Sequence, residues 1–322
     1  MFDKLIEMLR GKNRTIVFTE GEDERILSAA DKLLKGGFLG VVLVGPEAGI
    51  RAAAKAGGFD IEGAKIIDPA TYEGMDAMVE KMVELRKGKM SADECRAALS
   101  KSNYFGTMLV KMGIADCLLG GATYSTADTV RPALQLIKTK PGNSIVSSCF
   151  ILTRGEDESE RIAMGDCAIN IHPTEDNLVE IAQETVKCAQ AFGIEPKVAF
   201  LSFSTKGSAK DDTVTMMQNA MVRAREAMPD VPVDGEMQFD AAVSPEVGQR
   251  KFPGSPVAGY ANTFIFPDVN AGNIGYKIAQ RLGGFNAYGP ILLGLNAPIN
   301  DLSRGCNAEE VYKMAIVTAA VI

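Results

Sequence analysis

A chain of 322 residues, 46% hydrophobic and 23% charged, is long enough for two ordinary domains with cores of their own and too apolar to be disordered. Its formal net charge of −7 excludes the binders of polyanions, nucleic acid and anionic membrane surfaces among them, so basic residues of functional weight should be few and locally concentrated. Apolar runs such as Val41–Val44 and Ile291–Leu293 fall far short of a membrane span, and Met1–Arg10 mixes charged with apolar residues instead of forming the continuous stretch of a signal peptide. The cytoplasm is the expected address.

From the N-terminus, the pattern predicts a strand at Thr15–Phe18, a helix at Arg25–Lys35, a strand at Val41–Val44 and a helix at Glu47–Ala56. A strand at Lys65–Ile67 stops at Asp68-Pro69. Helical spacing covers Asp76–Lys87, Ala92–Ser100 and Tyr104–Lys111, and a strand at Ala115–Leu119 runs into Gly120-Gly121. Lys138–Asn143, KTKPGN, joins charges to a Pro-Gly turn and marks an internal boundary near residue 141. Beyond it, strands are expected at Ser144–Leu152, Val198–Ser204, Pro232–Glu236 and Thr263–Phe266. Helices are expected at Leu178–Phe192, Thr213–Ala227, Gly275–Leu282 and Val311–Ile322. Strands regularly separated by helices imply an α/β fold with mainly parallel sheets flanked by helices.

Six cysteines, Cys95, Cys117, Cys149, Cys167, Cys188 and Cys306, are scattered without a CxxC pair, the pattern of free buried thiols in a reducing compartment. His172 is the single histidine. A paired-histidine metal site is therefore excluded, and a serine–histidine–acid triad has this one residue to draw on.

In open parallel sheets ligands lie beyond the carboxyl ends of the strands, so chemistry is sought in the loops there. Gly120–Pro132, GGATYSTADTVRP, offers two glycines and the hydroxyls of Thr123, Ser125, Thr126 and Thr129 before a helix expected to open near Arg131-Pro132, the makings of an anion site. A cation at a helix N-terminus opposes the macrodipole unless an anion is also there, which marks Arg131. The alternative is a plain cap at Asp128 or Thr129 with Pro132 in the first turn. Ser202–Lys210, SFSTKGSAK, follows an apolar strand, and Lys206-Gly207-Ser208 suits a second anion cradle or a simple glycine turn. No GxxxxGK[ST] or GxGxxG string announces ATP or NAD. Asp234, Glu236 and Asp240 in DGEMQFD have the donor set of a divalent-cation site, or serve to orient lysines and arginines, the preferred reading. Phe266–Asn273 reads equally as a tight capping loop or a pocket wall. Ala297–Glu310, APINDLSRGCNAEE, brings a serine, an arginine just before a helix, and a carboxylate together. These are a hydroxyl to orient, a fixed cation to stabilise developing charge and a base, although Asn307 and Glu310 also have capping-box spacing.

Taken in order, STADTVRPALQLIKT (Ser125–Thr139), LSFSTKGSA (Leu201–Ala209), DGEMQFDAA (Asp234–Ala242), PGSPVAG (Pro253–Gly259), FPDVNAGNIGYKIAQRL (Phe266–Leu282) and INDLSRGC (Ile299–Cys306) resemble the phosphate acetyltransferase family over nearly the whole chain. The resemblance implies two α/β domains with a cleft between them, similar to the isocitrate/isopropylmalate dehydrogenase-like fold. It implies a discontinuous first domain of residues 1–141 plus 296–322, a second of 142–295, and a homodimer. It also implies a metal-free exchange among acetyl-CoA, CoA, phosphate and acetyl phosphate, with no tightly bound cofactor. Carried over by position, Ser303 and Arg304 match the pair beside the reacting acyl group, and Glu310, seven positions after the serine, stands where the family usually has aspartate. Arg131 and Arg86 match substrate-binding arginines, and Ser125, Thr129 and Lys206 join them as substrate-binding candidates. The implied chemistry is direct transfer, with Glu310 taking the thiol proton of CoA, Arg304 stabilising developing charge and Ser303 holding the reacting group. The alternatives are a phosphate butyryltransferase, a metal- and NAD-dependent decarboxylating dehydrogenase using Asp234, Glu236 and Asp240, and a non-catalytic domain that binds coenzyme A.

Overall fold

The computed structural model describes residues 1–320, which divide between two units, Phe2–Pro141 with the chain from Leu295 onward, and Gly142–Gly294. In the first unit come α1 (Phe2–Leu9), β1 (Thr15–Phe18), α2 (Glu24–Gly36), β2 (Gly40–Val44), α3 (Glu47–Gly57), β3 (Lys65–Ile67), α4 (Met75–Arg86), α5 (Ala92–Leu99), α6 (Ser102–Lys111), β4 (Cys117–Gly120) and α7 (Thr126–Pro132). A π-helical turn, Ala133–Ile137, follows α7. The second unit holds β5 (Ser147–Arg154), β6 (Glu160–Gly165), α8 (Glu175–Ala191), β7 (Val198–Leu201), α9 (Asp212–Ala227), β8 (Val233–Met237), α10 (Phe239–Val243), α11 (Pro245–Lys251), β9 (Thr263–Ile265), α12 (Val269–Arg281) and β10 (Asn286–Leu293). The chain then returns to the first unit as β11 (Ile299–Asp301) and α13 (Ala308–Ala320). Of the expected helix Val311–Ile322, residues 321–322 lie outside the described residues.

The first unit's sheet has the order β11-β4-β1-β2-β3 with every ladder parallel. Its strands read as near-continuous apolar runs because helices cover both faces; Ile16, Val17 and Phe18 of β1 are fully buried. On α2, Asp23 accepts the Arg25 N–H at the start and Gly37, in the left-handed region at φ +65°, ends it, while Ile26, Leu27, Ala30 and Leu33 face the core. The last helix, α13, packs on α2 and α1. Its polar link to β11 is internal: Asn300 Nδ2 donates to Thr318 Oγ1 at 2.9 Å, and that hydroxyl donates to the Met314 carbonyl at 2.7 Å.

The second unit's sheet, β10-β5-β6-β9-β7-β8, is mixed. Its ladders from β6 to β8 are parallel, whereas β5 runs antiparallel to β10 and to β6. The sequence pattern misses β6, β10 and β11. Gly289-Pro290 interrupts β10, and β11 spells Ile-Asn-Asp, of which Asn and Asp are poor strand formers. The start of β5 is also displaced. The N–H groups of Ser144 and Ile145 bond the Glu180 carboxylate of α8 at 3.0–3.1 Å, so the strand begins at Ser147.

The largest departure concerns α7, which opens at Thr126, not near Arg131-Pro132. Pro132 therefore ends the helix. Having no N–H, it leaves the Asp128 carbonyl without its helical donor, and Asn103 Nδ2 of α6 fills that place at 2.8 Å. Asn103→Ala should leave this carbonyl short of a bond at a cost of about 1–2 kcal/mol. Thermal unfolding followed by circular dichroism should show a melting point lowered by a few degrees; an unchanged curve would show that the Asn103 bond contributes nothing.

Candidate active site

Three loops meet at the carboxyl ends of β1, β4 and β11. Leaving β1, Thr19 donates to Glu20 Oε2 at 2.8 Å, and Glu20 Oε1 accepts the N–H groups of Gly121 (3.0 Å) and Thr123 (3.1 Å). The glycine-led loop after β4 thus cradles a carboxylate of the protein itself, where an external anion was expected. Burial, outweighing these hydrogen bonds, raises the Glu20 pKa. With the Thr19 proton given to Glu20, Tyr124 is the donor in its 2.8 Å contact with Thr19. Gly121 is required here. It sits at φ +99°, and a Cβ would lie 2.2 Å from Asp301 Oδ1.

Asp301 ends β11, buried, and receives the hydroxyls of Thr126 (2.6 Å) and Thr129 (2.5 Å). Thr129, expected among the substrate-binding hydroxyls, is 2% exposed, so its part is to hold Asp301. Ser125 is exposed and donates to Asp128 at 2.7 Å. Because α7 begins at Thr126, Arg131 stands in its last turn. The macrodipole favours a cation there, so the helix-terminus reason for singling out Arg131 falls away. What remains is its company. Burial raises the Tyr104 pKa while Arg131 and Arg86, both near the phenol, oppose that rise. Arg86 ends α4, and its buried Nε has no hydrogen-bond partner.

Beyond Asp301, the Leu302 N–H bonds the Gly120 carbonyl at 2.7 Å, and Ser303 opens a turn closed by the Cys306 N–H on its carbonyl at 2.9 Å. Ser303, Arg304 and Gly305 are exposed. The capping box is real: Glu310 Oε2 accepts the Asn307 N–H at 3.1 Å and the Glu310 N–H bonds Asn307 Oδ1 at 2.9 Å. Arg304 stands in the turn ahead of α13, with its side chain in solvent.

One residue absent from the sequence expectations connects all of this. Arg25, in the first turn of α2, donates from Nε and Nη2 to the two Asp23 oxygens at 2.9 and 2.7 Å. Nη2 also reaches the Ala122 carbonyl at 3.0 Å, and Nη1 bonds the carbonyls of Arg304 (2.9 Å) and Cys306 (3.1 Å). A cation in a first helical turn needs an anion or acceptors beside it. The Asp23-Glu24-Arg25 string after a strand was the available signal.

In the second unit, the Ser202–Ser208 loop also closes on a protein carboxylate. Glu236 accepts the Gly207 N–H (2.8 Å), the Ser204 hydroxyl (2.7 Å) and Gln218 Nε2 (2.8 Å). The cradle expected around Lys206 is therefore filled, and the Lys206 ammonium lies 5.1 Å from the Phe252 ring centre. Asp234 pairs with Arg225 at 2.6 Å and Asp240 with Lys251 at 2.8 Å. The cation-site alternative for these carboxylates finds no support: among the described residues no group of three or more His, Cys, Asp or Glu is placed to hold a metal ion. Asp268 caps α12 through the Ala271 N–H at 2.9 Å, the capping reading of that loop.

The sequence profile of the phosphate acetyl/butaryl transferase family matches residues 1–319. A phosphate acetyltransferase of Bacillus subtilis is 54% identical over 99% of this chain and 98% of its own. The crystal structure of a phosphotransacetylase from Streptococcus pyogenes superposes with a TM-score of 0.95 at 53% identity, covering 99% of this chain and 97% of its own. A 4-hydroxythreonine-4-phosphate dehydrogenase-like protein of Salmonella typhimurium, 13% identical with a TM-score of 0.53 over 96% of this chain and all of its own, shares the fold alone and agrees with the expected dehydrogenase-like architecture.

Asp301 gives this site a pH signature. Burial raises its pKa above the ordinary 3.8 despite the two threonine hydroxyls. A carboxyl whose folded pKa is raised binds its proton more tightly in the native state, so its contribution to stability falls as pH rises from the unfolded pKa through the folded one. Asp301→Asn removes that proton and keeps an acceptor for one threonine hydroxyl while offering a donor to the other. The stability of the variant relative to the parent should rise as pH climbs from the ordinary carboxyl range through the raised pKa of Asp301. Melting curves that stay parallel over that range would contradict the assignment.

Proposed function

The chain belongs to the phosphate acetyl/butaryl transferase family, and we propose that it passes an acetyl group directly between coenzyme A and phosphate in a ternary complex, with no acyl-enzyme. It is an acyltransferase of acetyl-CoA and phosphate, as its relatives at about half identity are. The observation that carries the placement of the chemistry is the exposed Ser303-Arg304 pair on the turn leaving β11, at the carboxyl end of a parallel sheet.

In the direction of acetyl-CoA formation, the coenzyme A thiol gives its proton to Glu310, whose Oε2 is fixed by the capping bond. The thiolate attacks the carbonyl carbon of acetyl phosphate, forming the S–C bond. Collapse of the tetrahedral species breaks the C–O bond to phosphate, and the protonated Glu310 returns its proton to the departing oxygen, so phosphate leaves as the hydrogen phosphate dianion. Arg304, a planar cation with a fixed fork of donors, stabilises the oxyanion and the departing phosphate. Ser303 holds the thiol or the tetrahedral oxygen by a hydrogen bond. Arg86 and Arg131 take anionic groups of coenzyme A, a role supported by their shared neighbour Tyr104 and by the unpartnered Nε of Arg86. Ser125 and Lys206 serve as further polar contacts. No metal and no tightly bound cofactor takes part.

Acetyl is the preferred acyl group, and longer chains are accepted less well, since one methylene is worth only about 1–3 kcal/mol of discrimination. Cytoplasmic residence is part of the same reading: all six cysteines are free thiols, and among the described residues no helix is long and apolar enough to cross a membrane. So is a homodimer. On the second unit Phe239, Val243, Ile278 and Leu282 are exposed beside a groove lined by Phe264, Phe266 and Phe285, an apolar surface of the kind that a second copy covers. Ile278→Glu should shift the molecular mass measured by light scattering from dimer to monomer; a dimer that withstands the charge would place the contact elsewhere.

Thiol release from acetyl-CoA, with phosphate present or omitted and a chelator throughout, tests the chemistry. Release should require phosphate and survive chelation; phosphate-independent release, or loss of activity on chelation that metal restores, would overturn it. In the same assay Glu310→Gln should keep the capping box and the parent's melting point but turn over about 10²–10⁴-fold more slowly. Near-parental turnover would reduce Glu310 to a cap.

A further inference from the structure

A guanidinium has five N–H donors, and in Arg25 all five have protein acceptors: the two Asp23 oxygens and the carbonyls of Ala122, Arg304 and Cys306. None remains for a substrate anion. Apart from Arg25, the hydrogen bonds on residues 303–306 are local to the turn, namely the Cys306 N–H on the Ser303 carbonyl and the Gly305 N–H on Ser303 Oγ at 3.3 Å. Packing restrains the turn at its last residue, the buried Cys306, but not at its tip, where a Cβ built on Gly305 would meet only Ser303 Oγ, at 3.8 Å. Beyond the burial of Cys306, the turn that displays Ser303 and Arg304 is therefore tied to α2 by the hydrogen bonds of Arg25, whose other edge is clamped by Asp23 at the cap of that helix.

We propose that Arg25 is a positioning residue for acetyl transfer, aligning the Ser303–Cys306 turn through the Arg304 and Cys306 carbonyls without touching substrate. The proposal rests on the reading of Ser303 and Arg304 as the pair beside the acyl group. Lysine cannot replace Arg25: its point charge has three donors on one atom and cannot span Asp23, Ala122 and both turn carbonyls. The same geometry separates this role from substrate binding. Loosening the turn displaces groups that act on the transition state, so turnover falls while saturation with coenzyme A is unaffected.

The test is a double-mutant cycle on the full-length enzyme, measuring kcat and the KM values for coenzyme A and acetyl phosphate, with a melting curve for each variant. Arg25→Lys should lower kcat about 10²-fold, the scale of a misplacement near 1 Å, with KM for coenzyme A unchanged. In Arg25→Ala, added guanidinium ion should restore part of kcat. In the Arg304→Ala background, Arg25→Ala should remove little more, because the two act through one turn. Asp23→Asn, which keeps the helix cap and weakens the clamp, should show a smaller loss in the same direction and covers the case in which Arg25→Ala does not fold. The proposal fails if Arg304→Ala is crippled while Arg25→Lys turns over normally, if KM for coenzyme A rises at constant kcat, or if the two losses multiply. Full activity in Arg304→Ala would instead overturn the reading of the turn itself, and the proposal with it.

Discussion

The parallel pairing of Ile299–Asp301 with Leu118–Gly120 is the contact on which the candidate site depends. It brings residues from the end of the chain to the edge of a sheet built by its beginning. Once Asp301 lies beside Gly120, the Leu302 N–H reaches the Gly120 carbonyl, and the Ser303–Cys306 turn comes within reach of α2. The strand is short and polar, so local propensity does little for it. Its anchors are Ile299, fully buried, the Asn300–Thr318 bond to α13, and the two threonines of α7 on Asp301. A three-residue strand held from three directions is how a site can sit on rigid backbone at the margin of a sheet.

A common device organises the loops. Glu20 and Glu236 each fill a glycine-containing turn with a protein carboxylate, Glu20 taking the N–H groups of Gly121 and Thr123 and Glu236 that of Gly207, which would otherwise be open to an outside anion. Asp301 does the same with hydroxyls. Desolvation opposes all such buried charges, and the raised pKa values of Glu20 and Asp301 record it. The return is a rigid loop, since buried polar groups with every partner in place fix one geometry. Positive charge is treated differently. Arg25 is saturated inside the protein while Arg304 is left exposed, so of two arginines on neighbouring segments one is spent on protein acceptors and the other keeps its donors for solvent.

Much of the fold was legible because its signals are local. Asp23 and Gly37 bracket α2, Ser91 and Glu94 form the capping box of α5, and the runs at β1 and β2 carry their own burial in their composition. The capping box of Asn307 and Glu310 was legible for the same reason, and Ser303, Arg304 and Glu310 were proposed as a site through a resemblance that extends along the chain. Arg25 was not. Its acceptors are backbone carbonyls 97 to 281 positions away, and no residue type marks a carbonyl as a partner. The start of α7 was misplaced because Pro132 reads as a first-turn proline, whereas Asn103 makes it tolerable at the other end of the helix. Thr129 and the Ser202–Lys210 loop could be read as anion sites as well as a plain cap and a glycine turn, because the carboxylates beside them come from distant segments.

The discontinuity of the first unit also orders events during synthesis. When residues 1–141 have left the ribosome, β4 has no neighbour on its outer side, and the apolar face of α2 lacks the helix that later covers it. The 142–294 unit carries its own sheet and cores and can condense while its predecessor waits, since domains fold as units in the order they emerge. The edge of β4 is covered only when Ile299–Asp301 arrives, after the whole 142–294 unit has been made. Ser303, Arg304 and Glu310 follow that strand, so a chain stalled ahead of it would present an unsealed sheet edge, a target for aggregation and quality control, before it could present a working enzyme.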